Sequence, residues 1–167
     1  MLSALHRHQV KNGLIGLIVD PTVVQQAYQL ELGQHFYAQL GGTSGIAGDA
    51  PFSAKFKIKA YSDGKFSYGG PMMHGVEADI GPSVLLEIDG IEIAVSSYKA
   101  QLLDRNMFRI FGIVPEDKTI VVVKSSVHFR ADFQDMAAAI LVAKAPGAMK
   151  ADPNDCLLYT SPSPRDK

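Results

Sequence analysis

One uninterrupted apolar run, Leu14 to Val19, constrains the fold of this chain more than any other feature. A run without polar alternation fits a strand that is covered on both faces, as in a parallel sheet. Asp20 and Pro21 follow at once, and these residue types suit the N-cap and the first turn of a helix. Helical spacing of apolar residues continues over 22–32. The pattern predicts a strand–turn–helix unit.

The end of the chain returns to the same alternation of strand and helix. A short helix is predicted over 104–111, followed by a buried strand over 119–123. A helix over 126–138 and a last strand over 139–143 complete this half.

The middle of the chain has a different period. Residues 52–60 alternate apolar and polar side chains, which is typical of a half-exposed antiparallel strand, and Asp89-Gly90 is a strong hairpin signal. The sequence therefore predicts an α/β domain with a mostly parallel sheet, flanking helices and an antiparallel β-hairpin-rich insertion from about 35 to 95.

The composition of the last twelve residues differs abruptly from the rest. Residues 156–167 have no helical or strand period and end in a Ser-Pro repeat. They resemble one reading frame of a transposon-type sequencing adapter, which predicts a non-native tail after a domain over 1–155; the alternative is a disordered native tail. The tail contains Cys156, the single cysteine, to which we therefore give no redox or catalytic role.

Charge and composition exclude several classes of function. The chain has 16 Lys and Arg against 17 Asp and Glu, so a dedicated nucleic-acid binder is not expected. One cysteine rules out a disulfide framework, and no apolar run is long enough to span a bilayer. No secretory signal is visible, so we expect a cytoplasmic protein without nucleic-acid or membrane partners.

The densest group of chemistry-bearing residues follows the predicted strand over 119–123. Lys124, Ser125, Ser126, His128 and Arg130 lie there within seven residues, at the kind of sheet edge where ligands bind in α/β proteins. Hydroxyls and cations before a helix would suit a carboxylate or phosphate. In the alternative interpretation a serine caps the helix, His128 is a satisfied interface residue and the two cations are solvated.

Two further segments allow both a functional and a structural interpretation. Asp20 follows the first strand on what would be the same sheet edge, and it either orients a site residue or only caps its helix. The loop over 69–75 is either a functional loop or a hairpin connection whose methionines are part of the core.

Known catalytic and metal-binding motifs are missing from the sequence. We find no His-Glu-x-x-His pattern, no G-x-S-x-G, no G-x-G-x-x-G and no P-loop lysine motif. The glycine-rich residues 41–48 match none of these patterns and predict a flexible loop. Metal binding by this chain is therefore not expected, and no catalytic residue is assigned.

Several ordered pieces of the chain resemble the C-terminal domain of the MlrC family of microcystinase C-like metallopeptidases. The most specific is Val121 to Arg130 with the downstream Pro146-Gly147. Weaker pieces, in the family's order, include residues 17–21, 40–42, 70–72 and 85–90, then Ser96-Ser97 with Gln101, and Phe108 with Gly112-Ile113.

The resemblance implies a parent protein that is a zinc-dependent hydrolase of peptide or amide bonds. Its zinc ligands would lie in a larger N-terminal metallohydrolase domain that this chain lacks, so the chain would bind no cofactor and be inactive alone. With the family considered, we expect the turn over 124–130, together with Asp20, to hold a small peptide substrate. The alternatives are a structural or oligomerisation module and a small-anion-binding domain.

Overall fold

A computed structural model describes residues 1–42, 45, 48–125 and 127–143, and the described part is a mixed α/β fold. Its strands are β1 (Gly13–Val19), β2 (His35–Leu40), β3 (Phe52–Ser62), β4 (Lys65–Ser67), β5 (Glu77–Asp79), β6 (Ser83–Ile88), β7 (Ile91–Ser96) and β8 (Ile120–Val123). Its α-helices are α1 (Leu2–Arg7), α2 (Pro21–Ala27), α3 (Asn106–Arg109) and α4 (Arg130–Phe133). Short 3₁₀ turns cover Pro115–Asp117 and Gln134–Met136.

Six of the strands form one sheet in the order β2-β3-β6-β7-β1-β8, and β4 pairs with β5 in a separate hairpin. β1 runs parallel to both β7 and β8, whereas the other three pairs in the large sheet are antiparallel. The predicted α/β class and its hairpins are confirmed. From the region over 35–95, β2, β3, β6 and β7 are built into the same sheet as β1, so parallel and antiparallel pairing share one layer.

Both faces of the sheet are covered, as the apolar run predicts. Successive residues of a strand point to opposite faces, so Leu14 and Ile15 enter two different clusters. Ile15 packs with residues of α1 and α2, including Val23. Leu14 packs with α3, α4 and the β4–β5 hairpin, including Phe108. The domain therefore has a core on each side of β1.

The helices are shorter than the sequence pattern predicts. The pattern predicts α2 to residue 32, but the helix ends at Ala27 because the single hydroxyl hydrogen of Tyr61 is shared between the carbonyl oxygens of Ala27, at 2.6 Å, and Leu30, at 2.9 Å. A side chain from β3 thus satisfies carbonyl groups that another helical turn would have used. Likewise α4 covers one turn instead of the predicted 126–138.

The strand predicted over 119–123 forms as β8 but is not buried, and the strand predicted over 139–143 does not form. β8 lies at the edge of the sheet and Ile120 is 39% exposed, so this strand is not buried. Residues 139–143 form no strand, and Leu141 is 92% exposed. A strand needs a hydrogen-bonded neighbour, and none of the described strands pairs with the outer edge of β8.

Two predicted segments lie wholly or partly outside the described residues. The tail over 156–167 is outside them, and so are residues 43, 44, 46 and 47 of the glycine-rich loop. Among the described residues, no helix combines the length and apolar character needed to cross a membrane.

Candidate functional site

The carboxyl ends of the parallel strands lie along one edge of the sheet. β7 ends at Ser96, β1 at Val19 and β8 at Val123. The N–H of Lys124 still donates to the carbonyl oxygen of Gly16 at 2.8 Å, so the segment after β8 leaves the sheet beside β1. Ligands of open α/β sheets gather at this edge, which makes the segment after β8 the first place to look for a site.

A three-residue polar cluster stands at the start of this segment. The Gln101 amide nitrogen Nε2 lies 2.9 Å from Ser125 Oγ, and its oxygen Oε1 lies 3.0 Å from His128 Nδ1. The N–H of Phe129 donates to Ser125 Oγ at 3.3 Å. The side chain of Gln101 therefore contacts two of the predicted site residues, Ser125 and His128.

The remaining residues of the turn present charge to solvent. Lys124, His128 and Arg130 are exposed, whereas Phe129 is buried and anchors the turn in the core. The Arg130 guanidinium carbon lies 5.4 Å from the centroid of the Phe129 ring, which is a cation–π contact. Ser126 lies outside the described residues. The turn thus combines a buried aromatic anchor with exposed cations and a hydrogen-bonded Ser–Gln–His cluster.

The structure changes the basis on which this turn could bind an anion. α4 begins at Arg130 and has only four residues, so an aligned set of free helix N–H groups is not formed before it. Among the described residues of the turn, the groups that can bind a negatively charged or polar ligand are the side chains of Lys124, Ser125, His128 and Arg130.

Asp20 belongs to a different part of the edge. Its Oδ1 accepts from the N–H of Val23 at 3.1 Å, which is the N-cap interaction of α2. It lines a cleft of about 520 Å³ with residues of α2 and β2, among them Gln26 and Gln39. None of the described residues of the turn over 124–130 lines this cleft. The capping interaction is observed, and a role of Asp20 in substrate binding stays a prediction.

The loop over 69–75 is a hairpin connection between β4 and β5. Met72 is 47% exposed and Met73 36%, so neither methionine belongs to the core. The N–H of Gly70 donates to Asp104 Oδ2 at 2.7 Å, and a ring nitrogen of His74 lies 3.0 Å from the carbonyl oxygen of Gly69. The loop therefore exposes apolar side chains at its tip, and hydrogen bonds at Gly69 and Gly70 fix its base.

A charged network connects the segment after Gln101 to α4. Asp132 accepts from the backbone N–H of Arg105 at 2.6 Å and from its Nη2 at 2.9 Å. Arg105 Nη1 also donates to Glu116 at 2.8 Å, and Arg109 donates to the same carboxylate at 2.7 Å. The hydrogen bond to Asp132 is the main cause that raises the pKa of Arg105.

These supporting residues are absent from the sequence-based list of site residues. In the sequence, Gln101 belongs only to the family resemblance, and Asp104 is only the first residue of the helix predicted over 104–111. Asp104 is 1% exposed and Asp132 8%, and burial of two carboxylates is visible only in the tertiary structure. A signal in the sequence is the Asp104-Arg105 pair directly after the apolar Leu102-Leu103. However, Gly70, which bonds Asp104, is 34 residues away, and Asp132, which bonds Arg105, is 27 residues away.

We expect Glu116 to make the stability of the domain depend on pH in the acid range. Burial acts to raise the pKa of this carboxyl, but its backbone hydrogen bond and the cations Arg109 and Arg105 outweigh that effect, so the pKa lies below its ordinary 4.5. A lowered folded-state pKa stabilises the fold above the unfolded-state pKa, and this contribution is lost as the pH falls through the folded value. As the pH falls from about 5 through the folded-state pKa of Glu116, Glu116→Gln should therefore lose less stability than the wild type. Urea midpoints at several pH values measure the difference, with exposed Glu77→Gln as the control; equal acid sensitivity of wild type and Glu116→Gln would contradict the prediction.

The described residues do not supply a metal site. No group of three or more His, Cys, Asp or Glu side chains among them is arranged to hold a metal ion. The zinc that the family resemblance implies therefore has no fitting donor set in the described part of this chain.

Fold and cluster together define an α/β domain that presents hydrogen-bonding and cationic side chains at the carboxyl edge of its parallel strands. The sequence pattern of the family described as MlrC C-terminus matches residues 1–157. The chain belongs to this family, and the resemblance noted in its sequence is confirmed. The match extends two residues beyond the predicted domain boundary at 155, and that boundary stays a prediction.

Known proteins with similar sequence or fold are much longer than this chain. Microcystinase C of a Sphingomonas species is 32% identical over 142 residues, which cover 83% of this chain and 27% of the relative. A solved structure from Mesorhizobium sp. BNC1, described as a candidate metallopeptidase, has a TM-score of 0.80 and 21% identity over 93% of this chain and 31% of that one. The second likeness shows the fold, and the chain spans about a quarter of the curated relative.

Proposed function

We propose that this domain is the substrate-holding C-terminal part of a zinc-dependent peptide or amide hydrolase resembling microcystinase C. The observation that carries the proposal is the hydrogen-bonded cluster of Gln101, Ser125 and His128 beside the exposed cations Lys124 and Arg130. Family membership supports the peptidase context. In this proposal the domain binds and orients substrate, and bond cleavage takes place elsewhere in the longer protein.

The chemistry of the turn suits a small peptide. Lys124 and Arg130 can attract a carboxylate, for which charge-assisted hydrogen bonds are the strongest available. Ser125 and His128 can hydrogen-bond a neighbouring neutral group, since the hydroxyl and the imidazole both carry donors and acceptors. A zinc ion and its ligands would be supplied by a preceding metallohydrolase domain, which we propose as the partner, and the present chain would be inactive alone. A cytoplasmic location stays a prediction.

Alanine substitutions test the proposed holding role. In a full-length relative that carries histidine and arginine at the positions aligned with His128 and Arg130, we expect each substitution to lower kcat/KM by roughly 10- to 100-fold, the range for losing a hydrogen bond to a charged group. Thermal unfolding should be nearly unchanged, because both side chains are exposed in the present structure. Peptidase kinetics on a linear peptide substrate measure the effect.

A matched control separates local from general charge effects. The position aligned with Lys99, an exposed cation outside the turn, should tolerate alanine without a change in kcat/KM. An unchanged kcat/KM in both the His128 and the Arg130 variants would refute the holding role.

A supporting, non-catalytic module is the second candidate, and the exposed hairpin tip favours it. Met72, Met73 and Val76 are each at least 36% exposed at a tip whose base is fixed by Gly70 and Asp104. Clustered exposed apolar side chains commonly mark contact surfaces. If this is the only role, alanine in the turn over 124–130 would lower stability and leave the kinetics of the surviving protein intact.

A further inference from the structure

We propose that Gln101 is a positioning residue: it holds His128 in the tautomer with hydrogen on Nδ1, so that Nε2 and the Ser125 hydroxyl together form a recognition site for a peptide group. The role in substrate recognition rests on the proposed function above. The tautomer itself does not depend on it, and it is tested in the present chain.

The amide of Gln101 determines which ring nitrogen of His128 carries the hydrogen. An amide nitrogen can only donate and an amide oxygen can only accept. Nε2 of Gln101 lies 2.9 Å from Ser125 Oγ, so the amide donates to the hydroxyl. In this orientation of the amide, its oxygen faces His128 Nδ1 at 3.0 Å as an acceptor, which selects the tautomer with hydrogen on Nδ1. In a neutral imidazole, Nε2 is then the atom with the free lone pair.

The same amide determines what Ser125 can offer. Ser125 Oγ accepts from Gln101 Nε2 and from the N–H of Phe129, which uses both of its lone pairs. The hydroxyl hydrogen is left as a donor, and none of the described residues accepts it. The cluster thus presents one donor, the Ser125 O–H, and one acceptor, His128 Nε2.

A donor beside an acceptor selects a ligand of the complementary kind. A carboxylate offers only acceptors and leaves His128 Nε2 unmatched. A peptide group offers a C=O for Ser125 and an N–H for His128. Lys124 and Arg130, on either side in sequence, would then meet a terminal carboxylate. We therefore assign the neutral half of this site to a peptide group.

The tautomer is read from the ¹⁵N chemical shifts of the imidazole ring. The full 167-residue chain is ¹⁵N-labelled and studied at alkaline pH, where histidine side chains are neutral. His128→Gln identifies the His128 signals among the five histidines. We expect the Nδ1–H form to dominate in the wild type. Gln101→Leu should shift the tautomer ratio by roughly tenfold toward Nε2–H, which free imidazole side chains prefer, because the directing hydrogen bond is lost.

Two further variants keep the result interpretable. Gln101→Glu retains an oxygen acceptor opposite Nδ1 and should keep the Nδ1–H form even though it cannot donate to Ser125. Gln25→Leu, an exposed glutamine on α2, should leave the His128 shifts unchanged. A dominant Nε2–H form in the wild type, or identical tautomer ratios in wild type and Gln101→Leu, would overturn the positioning role.

The ligand class is tested by titration of the same labelled chain. N-acetyl-alanine methylamide, which has peptide groups and no charge, should shift the His128 Nε2 signal in a saturable way, and sodium acetate should not. The shift should be absent in Gln101→Leu. A shift with acetate alone, or with neither compound, would overturn the assignment to a peptide group. The tautomer of His128 is tested independently by the ¹⁵N shifts. Loss of peptidase activity in the alanine variants is an independent readout, so failure of the proposed function is distinguishable.

Discussion

Replacing Phe108 by alanine is expected to lower the free energy of unfolding by about 3–5 kcal/mol, the range for a buried phenylalanine. Phe108 on α3 is 0% exposed and packs in an edge-on pair with Phe133 of α4, at a ring-centroid distance of 6.3 Å. It also lies directly over β1, where a Cβ added to Gly16 would stand 2.7 Å from the ring. The ring therefore joins the sheet to the helix that follows the candidate site.

Urea unfolding of the variant and two controls measures this effect. Phe108→Leu keeps most of the apolar volume and should cost clearly less than alanine. Tyr37→Ala removes an aromatic ring that is 78% exposed and should change stability by no more than about 0.5 kcal/mol. A loss below about 1 kcal/mol for Phe108→Ala would show that the two helices do not depend on this ring.

Replacing Gly64 by alanine is expected to cost about 2–4 kcal/mol, from a left-handed backbone and a steric clash together. Gly64 has φ +83°, and an added Cβ would stand 2.0 Å from the carbonyl oxygen of Gly81. That oxygen already accepts from the hydroxyl of buried Ser83 at 2.7 Å, so it cannot move without breaking this hydrogen bond. The clash therefore falls on backbone, which yields less readily than a flexible side chain.

Gly75 provides the matched control for this prediction. It has φ +77°, but an added Cβ would meet nothing within 4 Å. Gly75→Ala should therefore cost only the backbone term, about 1–2 kcal/mol. Equal losses in the two variants, measured by urea or thermal unfolding, would mean that the contact with Gly81 does not contribute.

The parts of the fold that follow from the sequence are those with a strong local period. The run over 14–19 forms β1 with both faces covered, and the hairpin at Asp89-Gly90 joins β6 to β7. Asp20 caps α2, as its position before Pro21 indicates. Each of these features depends on neighbours in the chain, which is why pattern and turn chemistry were sufficient.

The lengths of the helices, and whether residues 139–143 form a strand, could not be predicted from local patterns. The end of α2 depends on the Tyr61 hydroxyl, which comes from a strand more than thirty residues away. Residues 139–143 have the composition of a strand but lack a hydrogen-bonded neighbour among the described residues. Strand formation requires a partner, and partner availability is a property of the whole sheet.

By itself, the sequence determined the α/β class, the doubly covered first strand, the family and the segment over 124–130 as the place where polar chemistry gathers. Only the tertiary structure decided that Gln101 joins Ser125 to His128, that Asp20 lines a separate cleft, and that Asp104 and Asp132 are buried behind the turn. The physical reason is that a local pattern specifies backbone conformation and burial. Hydrogen bonds between side chains that are 24–27 residues apart depend on how loops pack once the sheet has formed.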